Sequence, residues 1–87
     1  MRITYDQAKR QATLEERGLD FADAIKVFAG ETFEMQDTRK DYGECRIICY
    51  GTLEHLKVVI GYVTRGKTRH IFSMRRCHET EWKKIGL

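Results

Sequence analysis

The chain has 87 residues, no proline and three cysteines, and 33% of it is charged, which allows one small domain spanning 1–87 with a single core. Its longest apolar run, 58–63, is interrupted by Gly61 and falls far short of the roughly 20 residues a membrane-spanning helix needs; the polar start MRITYDQAKR has no apolar signal core, so a cytoplasmic protein with no membrane contact is expected. The net charge of +3 hides an asymmetry, because residues 1–44 hold 7 Lys/Arg against 10 Asp/Glu while residues 45–87 hold 9 against 3, and the basic half favours an anionic partner, either nucleic acid or an acidic protein surface.

In chain order, ITYD is a short strand or extended entry, and Asp6 is placed to cap a helix over QAKRQATLEER that Gly18 stops. The next segment, LDFADAIKVFAG, has Asp20 at its cap, Phe21, Ala24, Ile25 and Phe28 at i, i+3, i+4, i+7 spacing, and Gly30 at its end, which predicts an amphipathic helix with Phe21, Ile25 and Phe28 in the core. After Gly30 the pattern turns to strands in ETFEMQD, ECRIICYG, KVVIGYV and TRHIFSMR. The links DTRKDYG, TLEH and TRGK are short turns, so consecutive strands should be antiparallel neighbours. HETEWKKIG reads as a short helix that carries Trp82 onto the sheet edge. The expected fold is α+β: two N-terminal helices packed on one face of a roughly four-stranded antiparallel sheet, with a short C-terminal helix. Cys45, Cys49 and Cys77 have no CxxC or zinc-like spacing and read as reduced, mostly buried small hydrophobes.

The stretch RHIFSMRRCHETEW, 69–82, concentrates charge on one strand. Strict alternation sends His70, Phe72, Met74 and Arg76 one way and Arg69, Ile71, Ser73 and Arg75 the other. With Phe72 and Met74 toward the helices, Arg69, Ser73 and Arg75 lie on the open face, where Arg46 and Arg65 can join them. Guanidinium forks bind phosphate oxygens bidentately, so such a face suits an RNA backbone; solvated arginines are the plain alternative.

The series YD..K, RGLDF.DA..VF, D.R.DYGE.R and TRG..RHIFSMRR, with a following glutamate, resembles the BrnT family of type II toxins, relatives of the RelE ribonucleases, and in particular a subgroup whose last strand reads RHI-S-M-R-K. The resemblance covers nearly the whole chain. It implies a RelE-like fold and a cytoplasmic ribonuclease that blocks translation and is held inactive by a cognate BrnA-type antitoxin, in a particle of two toxins and two antitoxins. Arg46, Arg65, Gly66, His70, Ser73, Arg75 and Glu81 match family positions. The chain departs from the family at Tyr5, where tryptophan is usual, at Thr13 for asparagine, at Glu16-Arg17-Gly18 for Lys-His-Gly, and at Ile85, where relatives often carry a tyrosine.

RNA cleavage by 2′-hydroxyl attack needs a base, an acid and cations for the charged phosphorane, and no metal or cofactor. His70 is a candidate because an imidazole changes charge near neutrality, although it also reads as a hydrogen-bonded residue at the core edge. Arg75 and Arg65 are candidate phosphate clamps, and Arg46, Arg69, Ser73 and Arg76 candidate RNA contacts. Glu81, or Glu79, is a candidate base, with pairing to Lys83, Lys84 or the strand arginines as the alternative. His55 reads as solvated, His78 as a neighbour of the helix cap, and no two histidines have a metal-ligand spacing. Two further readings compete with a ribonuclease: an RNA-binding module without catalysis, and a subunit that binds an acidic protein.

Overall fold

The computed structural model describes residues 1–87. Strand β1 (Arg2–Tyr5) leads into helix α1 (Gln7–Arg17). Asp6 caps α1 by accepting the Lys9 N–H at 3.0 Å, and Gly18 ends it at φ 69°, a left-handed conformation that glycine adopts without the clash a Cβ would bring. The second segment is a 3₁₀ turn, Phe21–Asp23, continued by the short helix α2 (Ala24–Phe28). Strands β2 (Phe33–Gln36), β3 (Arg46–Leu53), β4 (Leu56–Arg65) and β5 (Thr68–Arg76) and helix α3 (Glu79–Ile85) complete the chain. No helix is long and apolar enough to cross a membrane.

The sheet has five strands in the order β1-β5-β4-β3-β2 and is mixed, not four-stranded and antiparallel. From β2 to β5 it is the expected antiparallel meander, but β1 joins as a parallel neighbour of β5. Parallel strands require a long crossover, and here everything from α1 to β4 lies between the partners, so no local spacing could announce the pairing.

The core forms where Phe21, Ala24 and Val27 meet Cys49, Val58, Ile60, Tyr62, Ile71 and Met74. A Cβ on Gly51 would come within 2.7 Å of Val27 Cγ1, so the bare backbone of β3 lets α2 approach closely. Ile25, expected in this core, is 46% exposed, and Val27 is fully buried in its place. The 3₁₀ start explains the exchange: at three residues per turn, Phe21, Ala24 and Val27 stack on one side and Ile25 is rotated out. Phe28 is half-buried, edge-on to Tyr62 with ring centres 5.3 Å apart. Helix α1 buries no residue fully. It is tied instead by the Arg10–Asp20 fork, 2.7 and 3.0 Å, and by Arg17 Nη1 donating to the Met74 carbonyl at 3.0 Å. Among the cysteines Cys49 is buried and Cys77 half-buried, but Cys45 is exposed.

A bulge between β4 and β5 corrects the expected faces. Gly61 pairs with Ser73 and Tyr62 with Ile71, leaving Phe72 as the extra residue. Alternation therefore slips by one at Phe72. Arg69, Ile71, Met74 and Arg76 face the helices, whereas His70, Phe72, Ser73 and Arg75 share the opposite face with Arg46, Ile48, Tyr50 and Val59. The cause sits on β4, where a Cβ at Gly61 would come within 2.6 Å of the Phe72 ring and of Ser73 Oγ. The missing side chain is the space the ring occupies. Helix α3 reaches this second face, where Glu81, Lys84 and Ile85 line a cleft with Phe33, Met35 and Tyr50. Trp82 is half-buried, with Lys57 Nζ 5.5 Å from its ring centre.

Candidate active site

The register stacks the second face in rows across the strands, with neighbours in a row about 4.8 Å apart and successive rows roughly 6.6 Å apart along the strands. One row runs Arg46, Val63, His70, Thr4; the next Met35, Ile48, Gly61, Ser73; the third Phe33, Tyr50, Val59, Arg75. Over the last two rows lies a groove of about 360 Å³ with Met35, Ile48, Tyr50, Val59 and Phe72 along its floor. Ser73 and Arg75 of β5 with Glu81 of α3 bound it on one side, and Asp37, Thr38 and Arg39 of the loop after β2 bound it on the other.

On the β5 side, Arg75 Nη1 and Nη2 donate to the two Glu81 oxygens at 2.9 and 3.0 Å, and Nη1 also reaches the Arg76 carbonyl at 3.2 Å. Glu81 in turn accepts the His78 N–H at 3.2 Å, closing the first turn of α3. The Arg75 fork holds the Glu81 carboxyl down at about 2 and is itself raised by the same bonds. Glu81 is thus a fixed carboxylate at neutral pH. What its geometry accomplishes is to orient Arg75. The two residues expected as clamp and base are one ion pair.

The opposite side was not legible in DTRKDYG, which reads as a turn. Asp37 is 8% exposed, and its carboxylate accepts the Arg39 backbone N–H at 3.2 Å, Arg39 Nε at 2.9 Å, Arg39 Nη2 at 2.9 Å and the Tyr42 hydroxyl at 3.2 Å. These bonds, the Arg39 side chain first among them, hold Asp37 far below the usual carboxylate range. Yet the Arg39 side chain is 80% exposed. The available signal was the Asp-x-Arg spacing with a tyrosine five residues after the aspartate, since a short acidic side chain readily bonds the backbone two residues on. Tyr50 and Phe72 were also missed as groove residues: Tyr50 shares its strand parity with Arg46, a signal that ECRIICYG did contain, and Phe72 was hidden by the bulge.

The other expected residues scatter. Arg46 lies on the groove's face but outside its lining, its guanidinium 4.1 Å from the Tyr42 ring centre and 4.6 Å from that of Phe72, with Nε buried and unpartnered. His70 is half-buried on that face, its Nδ1 2.9 Å from Thr4 Oγ1; it is not on the Met74 side. Arg65 is exposed at the end of β4, 3.8 Å from Glu44. Arg69 turns to the helix side, over the rings of Phe28 and Tyr62 at 4.6 and 4.7 Å and 3.3 Å from Glu34. Arg76 is exposed on that same side. Glu79 pairs with Lys57 at 2.8 Å, while His55 and His78 are exposed. No group of three or more His, Cys, Asp or Glu side chains is placed to hold a metal ion.

Compared with known proteins, residues 5–81 match the family model described as "Ribonuclease toxin, BrnT, of type II toxin-antitoxin system". A comparison with curated proteins gives no match.

Proposed function

Because the chain belongs to the BrnT family of ribonuclease toxins from type II toxin-antitoxin systems, we propose that the groove between β5, α3 and the loop after β2 is where it cuts RNA in the cytoplasm, without a metal, and so blocks translation. The observation that carries this reading is Arg75: its end-on edge is fixed by Glu81, and its Nε is left for a ligand beside the groove's aromatic floor. In the reaction the 2′-oxygen bonds to the neighbouring phosphorus, the bond to the 5′-oxygen breaks, and the phosphorane between them carries extra negative charge. A guanidinium held in place stabilises that charge without reorganising. Glu81 positions it, and Ser73 offers a hydroxyl beside it.

His70 is the proposed proton carrier on this face. With Nδ1 engaged by Thr4, Nε2 is the nitrogen that exchanges protons with the attacking or leaving oxygen. Arg46 and Arg65 extend the basic track along the neighbouring rows. Arg69 and Arg76 point away from the groove and have no part in cleavage. A BrnA-type antitoxin silences the protein by covering this face, in a particle of two toxins and two antitoxins.

The test is cleavage of RNA by the purified chain in the presence of a chelator. Products ending in a 2′,3′-cyclic phosphate are expected, with no cutting of the 2′-O-methyl substrate. Arg75→Ala should lower the rate by about 10² or more, and Arg75→Lys, which keeps the charge but loses the fork, should recover part of it. Binding of RNA without cyclic-phosphate products would establish the second reading, an RNA-binding module without catalysis, which Ile85 at the family's tyrosine position favours.

A further inference from the structure

The groove has arginines on two sides, and each is held by a carboxylate in a way that leaves one guanidinium edge unused. Arg75 gives its end-on edge, Nη1 and Nη2, to Glu81, so Nε and the second Nη2 hydrogen have no partner. Arg39 does the reverse. Its side-on edge, Nε and Nη2, is bound by Asp37, and Nη1 has no partner.

The Asp37 pair is built at a cost. Burying a carboxylate is unfavourable unless its acceptor sites are filled, and Asp37 fills them with three donors from Arg39 and one from Tyr42. What this arrangement gains is a fixed orientation for a guanidinium that is otherwise 80% exposed. An exposed arginine serving only as a solvated charge needs no such restraint. Between the two arginines the floor is apolar and aromatic, with a volume of about 360 Å³; that is room for one unstacked nucleotide and too little for a base pair. Unstacked bases rest on aromatic rings with little regard to sequence.

We propose that Arg39 and Arg75 are the two arms of a clamp on single-stranded RNA, holding the phosphates on either side of one nucleotide whose base lies against Tyr50 and Phe72. The inference rests on the groove being the RNA site and adds to it a second phosphate arm, Arg39, with Asp37 as its positioning residue.

The test separates binding from cutting by using a short fluorescent 2′-O-methyl oligoribonucleotide, which 2′-hydroxyl attack cannot cleave. Anisotropy titrations at several salt concentrations give affinity and the slope of log K against log salt. Arg39→Ala should weaken binding about tenfold and make that slope shallower by about 0.7, the contribution of one phosphate on a single strand. Arg39→Lys should restore the slope but not the full affinity, because a lysine cannot use the Asp37 fork. Asp37→Asn should weaken binding without removing a cation; a thermal melt shows whether it folds, and the exposed Arg39 variants carry the test if it does not. Unchanged affinity and slope for Arg39→Ala, with Arg75→Ala weakened, would sink the two-armed clamp and leave the groove as the RNA site. No binding by the unmodified chain would remove both readings. Equally tight binding of poly-glutamate, lost equally in Arg39→Ala, would show that the arms read acidic protein and overturn the RNA clamp.

Discussion

Glu81 shows how one carboxylate joins an element to a site. It closes the first turn of α3 through the His78 N–H and fixes Arg75 through two further bonds. In the unfolded chain a glutamate takes up its proton near pH 4.3; folded, Glu81 does so only at about 2, chiefly because of Arg75. Between those values the unfolded chain binds more protons, so the pair's stabilisation is complete above the unfolded value and is lost as pH falls through the folded one. Asp37 acts in the same direction through Arg39. The urea midpoint should therefore drop as pH falls from about 4.3 toward 2, and Glu81→Gln should flatten part of that fall while lowering the midpoint at neutral pH. An acid slope identical in Glu81→Gln and the unmodified chain would mean that the ion pair adds nothing to stability.

At the scale of elements, the 3₁₀ turn before α2 decides which side chains hold the helix layer on the sheet. Phe21 is fully buried and Ile25 is 46% exposed, so Phe21→Ala should cost about 3–5 kcal/mol and Ile25→Ala less than about 0.5 kcal/mol, measured by chemical denaturation. Similar losses at the two sites would show that the segment docks as a regular α-helix. The same segment shows where sequence reasoning holds and where it stops. Caps and stops are local chemistry, and Asp6, Gly18 and Asp20 stand where their side chains or their lack of one require. A change of helical period leaves no comparable local mark. The bulge at Phe72 is harder still, because its cause, Gly61, lies on a different strand. That single slip moved Arg69 to the helix side and brought His70 onto the groove's face. Arg75 and Ser73 were placed correctly because the slip precedes them. Arg39 was hidden by its setting in a loop whose order comes from a buried aspartate rather than from periodicity.

Over the whole molecule, the faces divide the work. One carries α1 and α2 and closes the core, and the other carries α3 beside a groove with two arginines on its flanks. A type II toxin is kept silent by its antitoxin, and a basic open face is the surface an acidic partner would cover. Light scattering on the chain co-expressed with the product of the adjacent gene should give the mass of two of each, and Arg75→Glu should weaken that complex. A complex unaffected by Arg75→Glu would place the antitoxin elsewhere, on a surface from which it could not block the groove directly.

Strand β1 adds a consequence in time. Its partner β5 is reached only after the rest of the chain has been traversed, and Thr4 and His70, which meet at 2.9 Å, are 66 residues apart. A contact of such long separation has a greater closure entropy than the local hairpins from β2 to β5, so it is expected to form after them. The nascent meander can therefore present Arg75 and Ser73 before β1 has docked, but His70 has no partner for Nδ1 until the first residues made return to the last strand. Docking of β1 is thus the step that orients the imidazole, and Thr4, near the opposite end of the chain from β5, is the residue on which that orientation depends.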